Sequence, residues 1–231
     1  SAVSNYTRHT LVAAGGNTDR ISVTPIPIDL ECFQPPPSPA ASGVIGFAGR
    51  PEDGRKNLSL LFAALKLLRE QGKDISLKLT GDPSPLLQDE IKRQGLSDHI
   101  TWTGWLQQEE LPAFYQGLDV FVIPSFQEGL PNAVIESMSA GKIIVASAIS
   151  DNPDIITDAE TGFLFPSDDA DELGRVLAHV FSLTPQERDV IGQRALVAAK
   201  ERYSVDAMVE RFVSLFGPDK ASARAQETRK D

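Results

Sequence analysis

At 231 residues, with 41% hydrophobic and 23% charged content, the chain has the make-up of an ordinary soluble globular protein, long enough for one large domain or two small ones. Its net charge of −10 argues against nucleic acid as the main partner, since phosphate backbones want a basic face, but leaves room for a local basic pocket holding a small anion. The one cysteine, Cys32, forms no internal disulfide and offers no metal cluster; with no membrane-length apolar run and no signal peptide before Ser1, the expected location is the cytosol.

Residues 1–20 read as a short helical piece around Tyr6, Leu11 and Val12, broken by Gly15-Gly16-Asn17. Ile21 to Pro27 is β-like, but its prolines confine it to an edge or a crossing segment. Pro35 to Ser42 is a linker by composition, which puts a boundary near residue 40. A regular alternation follows. Val44 to Ala48 is a strand closed by Gly49-Arg50. Asn57 is placed to cap a helix whose Leu58, Leu61, Phe62, Leu65 and Leu68 share one face. Ile75, Leu77 and Leu79 make a strand ending at Gly81-Asp82-Pro83, and Leu86 to Gln94 a helix. Ile100 to Thr103 is a strand ending at Gly104-Trp105, and Glu109 to Gln116 a helix.

Leu118 to Ala148 is the densest stretch. Val120 to Ile123 has the look of a strand buried on both faces. A turn with Gly129 at its tip leads to Pro131, at the first position of a helix that runs to about Ala140. Ile143 to Ala146 is the next strand. Beyond it come a short strand, Gly162 to Phe165, and helices Asp168–Phe181, Pro185–Arg202 and Val205–Phe216; after Gly217 the tail has little to bury. Strands alternating with helices in this way predict an α/β fold, a Rossmann-like doubly wound parallel sheet with helices on both faces. Its ligand edge lies at the carboxyl ends of the strands, where Gly49, Gly81, Gly104 and Gly129 gather.

A helix start at Pro131 attracts an anion through its free N–H groups and about half a positive charge, too little for a diphosphate. Arg50 and Lys56, with Arg55 as a third candidate, come from the same sheet edge and can supply the rest; a merely solvated basic loop fits the same residues. Two glutamates flank the turn, Glu128 before the helix and Glu136 about one turn inside it. Beside a diphosphate they need another task, and accepting hydrogen bonds from vicinal hydroxyls is one. Singly, each has a plainer reading: loop exposure for Glu128, a favourable helix-dipole position for Glu136.

Glu128 and Glu136, in Pro-Ser-Phe-Gln-Glu-Gly-Leu-Pro-Asn-Ala-Val-Ile-Glu-Ser-Met-Ser-Ala-Gly, resemble the Glu-x7-Glu signature of retaining GT-B glycosyltransferases of family four (glycosyl transferases group 1). Gly49-Arg50 with Lys56-Asn57, Gly81-Asp82-Pro83, Thr103-Gly-Trp105, Val145-Ala-Ser147, Thr161-Gly-Phe-Leu-Phe-Pro166 and Tyr203-Ser204 extend the resemblance over about Ser4 to Phe216. It implies the C-terminal, donor-binding half of a GT-B enzyme that transfers a sugar from a nucleotide-diphospho-sugar, UDP- or GDP-linked, with retention and without a metal or other cofactor. By similarity Glu128, Arg50 and Lys56 are the catalytic set. Arg50 and Lys56 hold the diphosphate, Glu128 contacts the sugar, Glu136 takes the ribose diol, and Gly129, Leu130, Pro131 and Asn132 present backbone groups. Gly49 belongs to the same edge, and Gly104, Trp105 and Leu106 lie by the base.

The resemblance also divides the chain. Residues 1–40 are the end of an N-terminal acceptor domain and the crossing linker, 41–203 the donor-binding domain, 204–216 a helix returning to the N-terminal domain, and 217–231 a disordered tail. The N-terminal domain, in cis or as a separate chain, is then the first partner, with the sugar donor and a carbohydrate or lipid-linked acceptor; peripheral contact with the inner membrane face stays open. His9, His99 and His179 match no catalytic position. Gly141-Lys142 stands where the family has Gly-x-Pro, and Ile149 to Asp154 where it has a glycine pair and Glu. Alternatives are a stand-alone nucleotide-sugar binding or regulatory module and a GT-B-fold epimerase. A dehydrogenase is disfavoured, because Gly49 to Gly54 does not make Gly-x-Gly-x-x-Gly.

Overall fold

The structure, a computed structural model, describes residues 1–35 and 43–216. The expected linker after Pro35, the boundary near residue 40 and the tail from Gly217 lie outside the described residues. Six parallel strands are present: β1 Val44–Phe47, β2 Ser76–Leu79, β3 Ile100–Trp102, β4 Val120–Ile123, β5 Ile143–Ser147 and β6 Phe163–Phe165. They lie in the order β3-β2-β1-β4-β5-β6, that of a doubly wound dinucleotide-type sheet. The expected α/β class and helix-on-both-faces layering are what is found.

The helices are α1 Asn5–Ala13, α2 Leu58–Glu70, α3 Pro85–Arg93, α4 Leu111–Gln116, α5 Asn132–Ser139, α6 Asn152–Ile155, α7 Ala170–Ser182, α8 Pro185–Tyr203 and α9 Val205–Phe216. The period-2 alternation of the central strands decides which helix packs where. Val120 and Val122 of β4 and Ile143 and Val145 of β5 face a core built with α2 and α7. Phe121, Ile123, Ile144 and Ala146 face a second core built with α4, α5 and α8. All four β4 residues are buried, and each such side chain contributes about 1.5–3 kcal/mol. On the second face α8 approaches the turn after α5 closely: a Cβ at Gly192 would lie 2.3 Å from the Gly141 carbonyl oxygen, so only glycine fits.

Two positions differ from expectation. Asn57 does not cap α2 with its side chain. It is left-handed (φ 52, ψ 44), and its Nδ2 donates to the Ser167 carbonyl at 3.1 Å, so the amide is spent on tying this loop to the one after β6. Pro131 is the residue before α5 and not its first. The β-like run from Ile21 to Pro27, expected at an edge or in a crossing segment, lies outside the six-stranded sheet and makes a single bridge, Ala2 to Val23. The crossing segment is nonetheless firmly held. Ile28, Leu30 and Phe33 are buried in the second core, and the Ile28 N–H donates to the Tyr203 carbonyl at 3.3 Å.

Candidate functional site

β1 and β4 are neighbours, yet the chain leaves β1 for α2 on one face and β4 for α5 on the other. The two connections therefore diverge and open a crevice at the strands' carboxyl ends, the switch point where ligands of such sheets bind. The first connection, 48–57, ends in a 3-10 turn, Gly54–Lys56, capped by Asp53. The second, 124–131, is laced to it by the Phe126 N–H, which donates to the Arg55 carbonyl at 2.8 Å. That lacing sets Lys56 against Glu128, residues 72 positions apart.

The Lys56 Nζ bonds both Glu128 oxygens, at 2.8 and 3.0 Å, with the side chains only 19% and 9% exposed. Glu128 is also held from the β4 and β5 ends. Ser125, fully buried, donates its hydroxyl to Oε1 at 2.5 Å, and the Glu128 N–H donates to Ser150 Oγ at 3.1 Å. Ser125 is itself fixed, its carbonyl accepting from the Ser147 hydroxyl at 2.6 Å while Asn152 Nδ2 donates to the Ser147 carbonyl at 2.8 Å. A carboxylate this dry needs its cation and its hydrogen bonds.

Glu136 is held differently. Its Oε2 accepts from the Tyr115 hydroxyl at 2.7 Å. Burial pushes the Glu136 carboxyl above its ordinary value, and the Tyr115 hydrogen bond partly offsets this. Burial first, then the neighbouring Glu136 charge, drives the Tyr115 phenol well above its ordinary value, so it stays a donor. Beside the pair opens a cavity of ≈ 220 Å³ whose lining includes Gly49, Thr80, Trp105, Leu106, Tyr115 and Glu136. Its walls are mostly apolar, with Glu136 the charged group among its lining residues and Thr80 Oγ1 bonded to the Gly49 N–H at 3.0 Å. That composition suits a flat heterocycle with a hydroxylated end.

The expected residues thus divide. Gly49, Trp105, Leu106 and Glu136 meet at one cavity. Gly104 fixes the neighbouring turn, its carbonyl accepting from the Gly81 N–H at 2.7 Å. Lys56 and Glu128 meet at the crevice. Arg50 is exposed at its rim, and among the described residues its guanidinium has no acidic partner. Gly129 and Asn132 are exposed, and a Cβ at Gly129 would meet open space. Pro131 is buried, while Leu130 packs on the second core and lines a separate hollow of ≈ 210 Å³ shared with Ser4, Asp151 and Tyr203. Tyr115, Ser125, Thr80 and Ser150 join the site without any local sequence signal that marks them. Among the described residues no group of three or more His, Cys, Asp or Glu is placed to hold a metal ion, and no helix is long and apolar enough to cross a membrane.

The model of the family described as glycosyl transferases group 1 matches residues 42–182. The MMP α-(1→4)-mannosyltransferase of Mycolicibacterium hassiacum is 28% identical over 207 residues, covering 89% of this chain and 50% of that protein. The D-inositol 3-phosphate glycosyltransferase of Paenarthrobacter aurescens is 31% identical over 205 residues, 80% of this chain and 49% of that one. The chain spans about half the length of the curated relatives it matches. Among solved structures, Anabaena HepE in complex with UDP and glucose superposes with a TM-score of 0.84 at 20% identity, over 93% of this chain and 61% of that one, a likeness of fold.

Proposed function

Because the chain belongs to the glycosyl transferases group 1 family, we propose that it is the C-terminal, donor-binding part of a retaining GT-B glycosyltransferase, moving a sugar from a nucleotide-diphospho-sugar to an acceptor. One observation carries the reading: a single turn separates two glutamates into two environments. Glu136 borders a mostly apolar cavity beside Trp105 and Leu106. Glu128 is paired with Lys56 in the crevice between β1 and β4. The nucleoside enters the cavity with its diol on Glu136; the diphosphate crosses the start of α5 towards Lys56 and Arg50; the sugar lies against Glu128. On binding, the Lys56 ammonium is shared between Glu128 and the diphosphate, and Arg50 adds the uncompensated positive charge.

Residues 41–203 then form the donor domain, and the helix at 204–216 packs on an N-terminal acceptor domain. Val205, Val209 and Val213 of α9 support this, being 48%, 55% and 59% exposed. Such an apolar stripe on one helix marks an interaction face. The donor's charge is met by Lys56, Arg50 and the α5 start, so binding is expected to survive a chelator.

Calorimetric titration with UDP- and GDP-sugars tests the reading. One of the two series should bind, and Arg50→Ala and Glu136→Ala should each weaken it by about tenfold, the loss of roughly 1.4 kcal/mol. A folded chain that binds neither series refutes it. Retention is read from the anomeric proton of the product made by the protein joined to its acceptor domain.

A further inference from the structure

We infer that Tyr115 is a positioning residue for Glu136, and that the crossing segment takes part in nucleotide recognition by clamping Tyr115 through Phe33. The inference rests on the reading above that Glu136 receives the ribose diol.

The Tyr115 hydroxyl occupies Glu136 Oε2 at 2.7 Å, while no partner among the described residues holds Oε1, on the side chain that borders the cavity. One oxygen tied and one open fixes the plane of the carboxylate before any ligand arrives. A ligand then meets a set of lone pairs already aimed, and the cost of ordering the side chain is met on folding. A phenylalanine here would leave Oε2 with its desolvation and no donor.

Tyr115 can hold this position because its own ring cannot move. It is fully buried and meets Phe33, Phe114 and Phe121 edge-on, with centroids 5.8, 5.5 and 5.5 Å away. Two of these come from its own helix and from β4. Phe33 comes from the crossing segment, where it follows the turn Leu30–Cys32 and donates its N–H to the Leu30 carbonyl at 3.1 Å. The same segment grips α4 a second time, since Gln116 Nε2 donates to the Gln34 carbonyl at 3.0 Å. From the other side, buried Lys142 donates to the Gln116 and Leu118 carbonyls at 2.9 and 2.8 Å. The carboxyl end of α4 is thus fastened between the crossing segment and the start of β5.

The charged and titratable surroundings of Glu136 are few. Tyr115 faces it from α4. Cys32 of the crossing segment lies within electrostatic reach, its thiol raised by burial first and by Asp29, Glu136 and Glu31 as well. The cavity residues from the ends of β1, β2 and β3, among them Gly49, Thr80 and Trp105, carry no charge. Removing the Tyr115 hydroxyl therefore withdraws the group that favours the ionised form of Glu136, and its titration moves upward.

The test compares UDP or GDP, whichever the chain binds, with the 2′,3′-dideoxy form of the same nucleotide. The wild type should prefer the ribonucleotide by about tenfold or more, and Tyr115→Phe should lose about fivefold of that preference through the ribonucleotide alone. By carbon-detected NMR the Glu136 carboxyl should titrate at higher pH in Tyr115→Phe than in the wild type. Phe33→Leu, which keeps the hydroxyl but loosens the ring, should show a smaller loss of the same preference, and it carries the test if Tyr115→Phe fails to fold. Equal weakening of both nucleotides, or unchanged preference, overturns the inference while leaving the diol reading intact. A wild type that binds both forms equally refutes the diol reading, and the inference falls with it.

Discussion

Glu128 lies before the turn that leads into α5 and Glu136 lies within α5, and the two carboxylates are satisfied by different devices. Glu128 is matched by a cation: Lys56 reaches it from another loop, the Ser125 hydroxyl donates to the carboxylate, and Ser150 accepts from the Glu128 backbone N–H. Glu136 is matched by a neutral phenol, which satisfies one oxygen and leaves the charge uncompensated. The first arrangement is an internal pair that stabilises the crevice and that a ligand must share. The second is a site of held-back solvation, costly to the folded chain, and on the proposed reading repaid by the hydroxyls of the donor. Stability and binding are therefore coupled with opposite sign at the two carboxylates.

The comparison breaks most visibly at Lys56. Lys56→Met leaves the Glu128 carboxylate, 9% exposed, with the Ser125 hydroxyl as its remaining donor among the described residues. Removing one partner of a buried pair in this way costs about 3–5 kcal/mol when both are dry, and about 2–3 kcal/mol for a lysine that is part-solvated. Urea unfolding should show the midpoint fall with an unchanged slope, together with loss of donor binding. A midpoint equal to wild type would mean that the pair is held apart by water in solution and that the two glutamates do not differ as described.

Glu136→Gln should act in the other direction. The sign follows from linkage. Burial raises the folded carboxyl above its unfolded value near 4.5, so the folded state keeps its proton longer than the unfolded one. Stability contributed by this group is then lost as pH rises through the window from the unfolded value to the raised one. Glutamine removes that loss and can still accept from Tyr115. The variant should melt higher than wild type at about pH 7, the gain should vanish below about pH 4, and donor affinity should fall. Glu128→Gln, which strands Lys56, should instead melt lower at neutral pH; the same chemical change eight positions away gives the opposite result.

Much of this frame could be read from the chain. The apolar runs Val120–Ile123 and Ile143–Ala146 and the glycine-closed strand ends announce a parallel sheet, because strands buried on both faces leave no polar alternation. The acids were found by their spacing around a helix start. Their partners were not, for physical reasons. Tyr115 lies in a run that reads as core, and nothing local tells that its hydroxyl meets a carboxylate 21 positions on. The lacing of the two loops through the Arg55 carbonyl is a backbone bond, to which side-chain pattern is blind. Asn57 misleads for a similar reason: its amide has a local use as a cap and a distant one on Ser167, and the distant one wins.

The smallest effect expected is at Arg55, and it separates two accounts of the basic loop. Arg55 pairs with Asp53 at 2.7 Å, but its side chain is 63% exposed, so solvent and salt screen the pair. What the loop needs from this residue is its carbonyl, which any residue supplies. Arg55→Ala should therefore leave both the unfolding midpoint and donor affinity unchanged, while Arg50→Ala, at a guanidinium with no acidic partner among the described residues, should leave stability alone and cost affinity. If Arg55→Ala weakens the donor as much as Arg50→Ala does, the diphosphate is held by the diffuse field of three cations, and the fixed Lys56–Glu128 pair loses its special standing. If Arg50→Ala alone weakens it, the phosphate charge is met at two defined points. One is Arg50 at the rim, and the other is Lys56, already engaged with the Glu128 carboxylate.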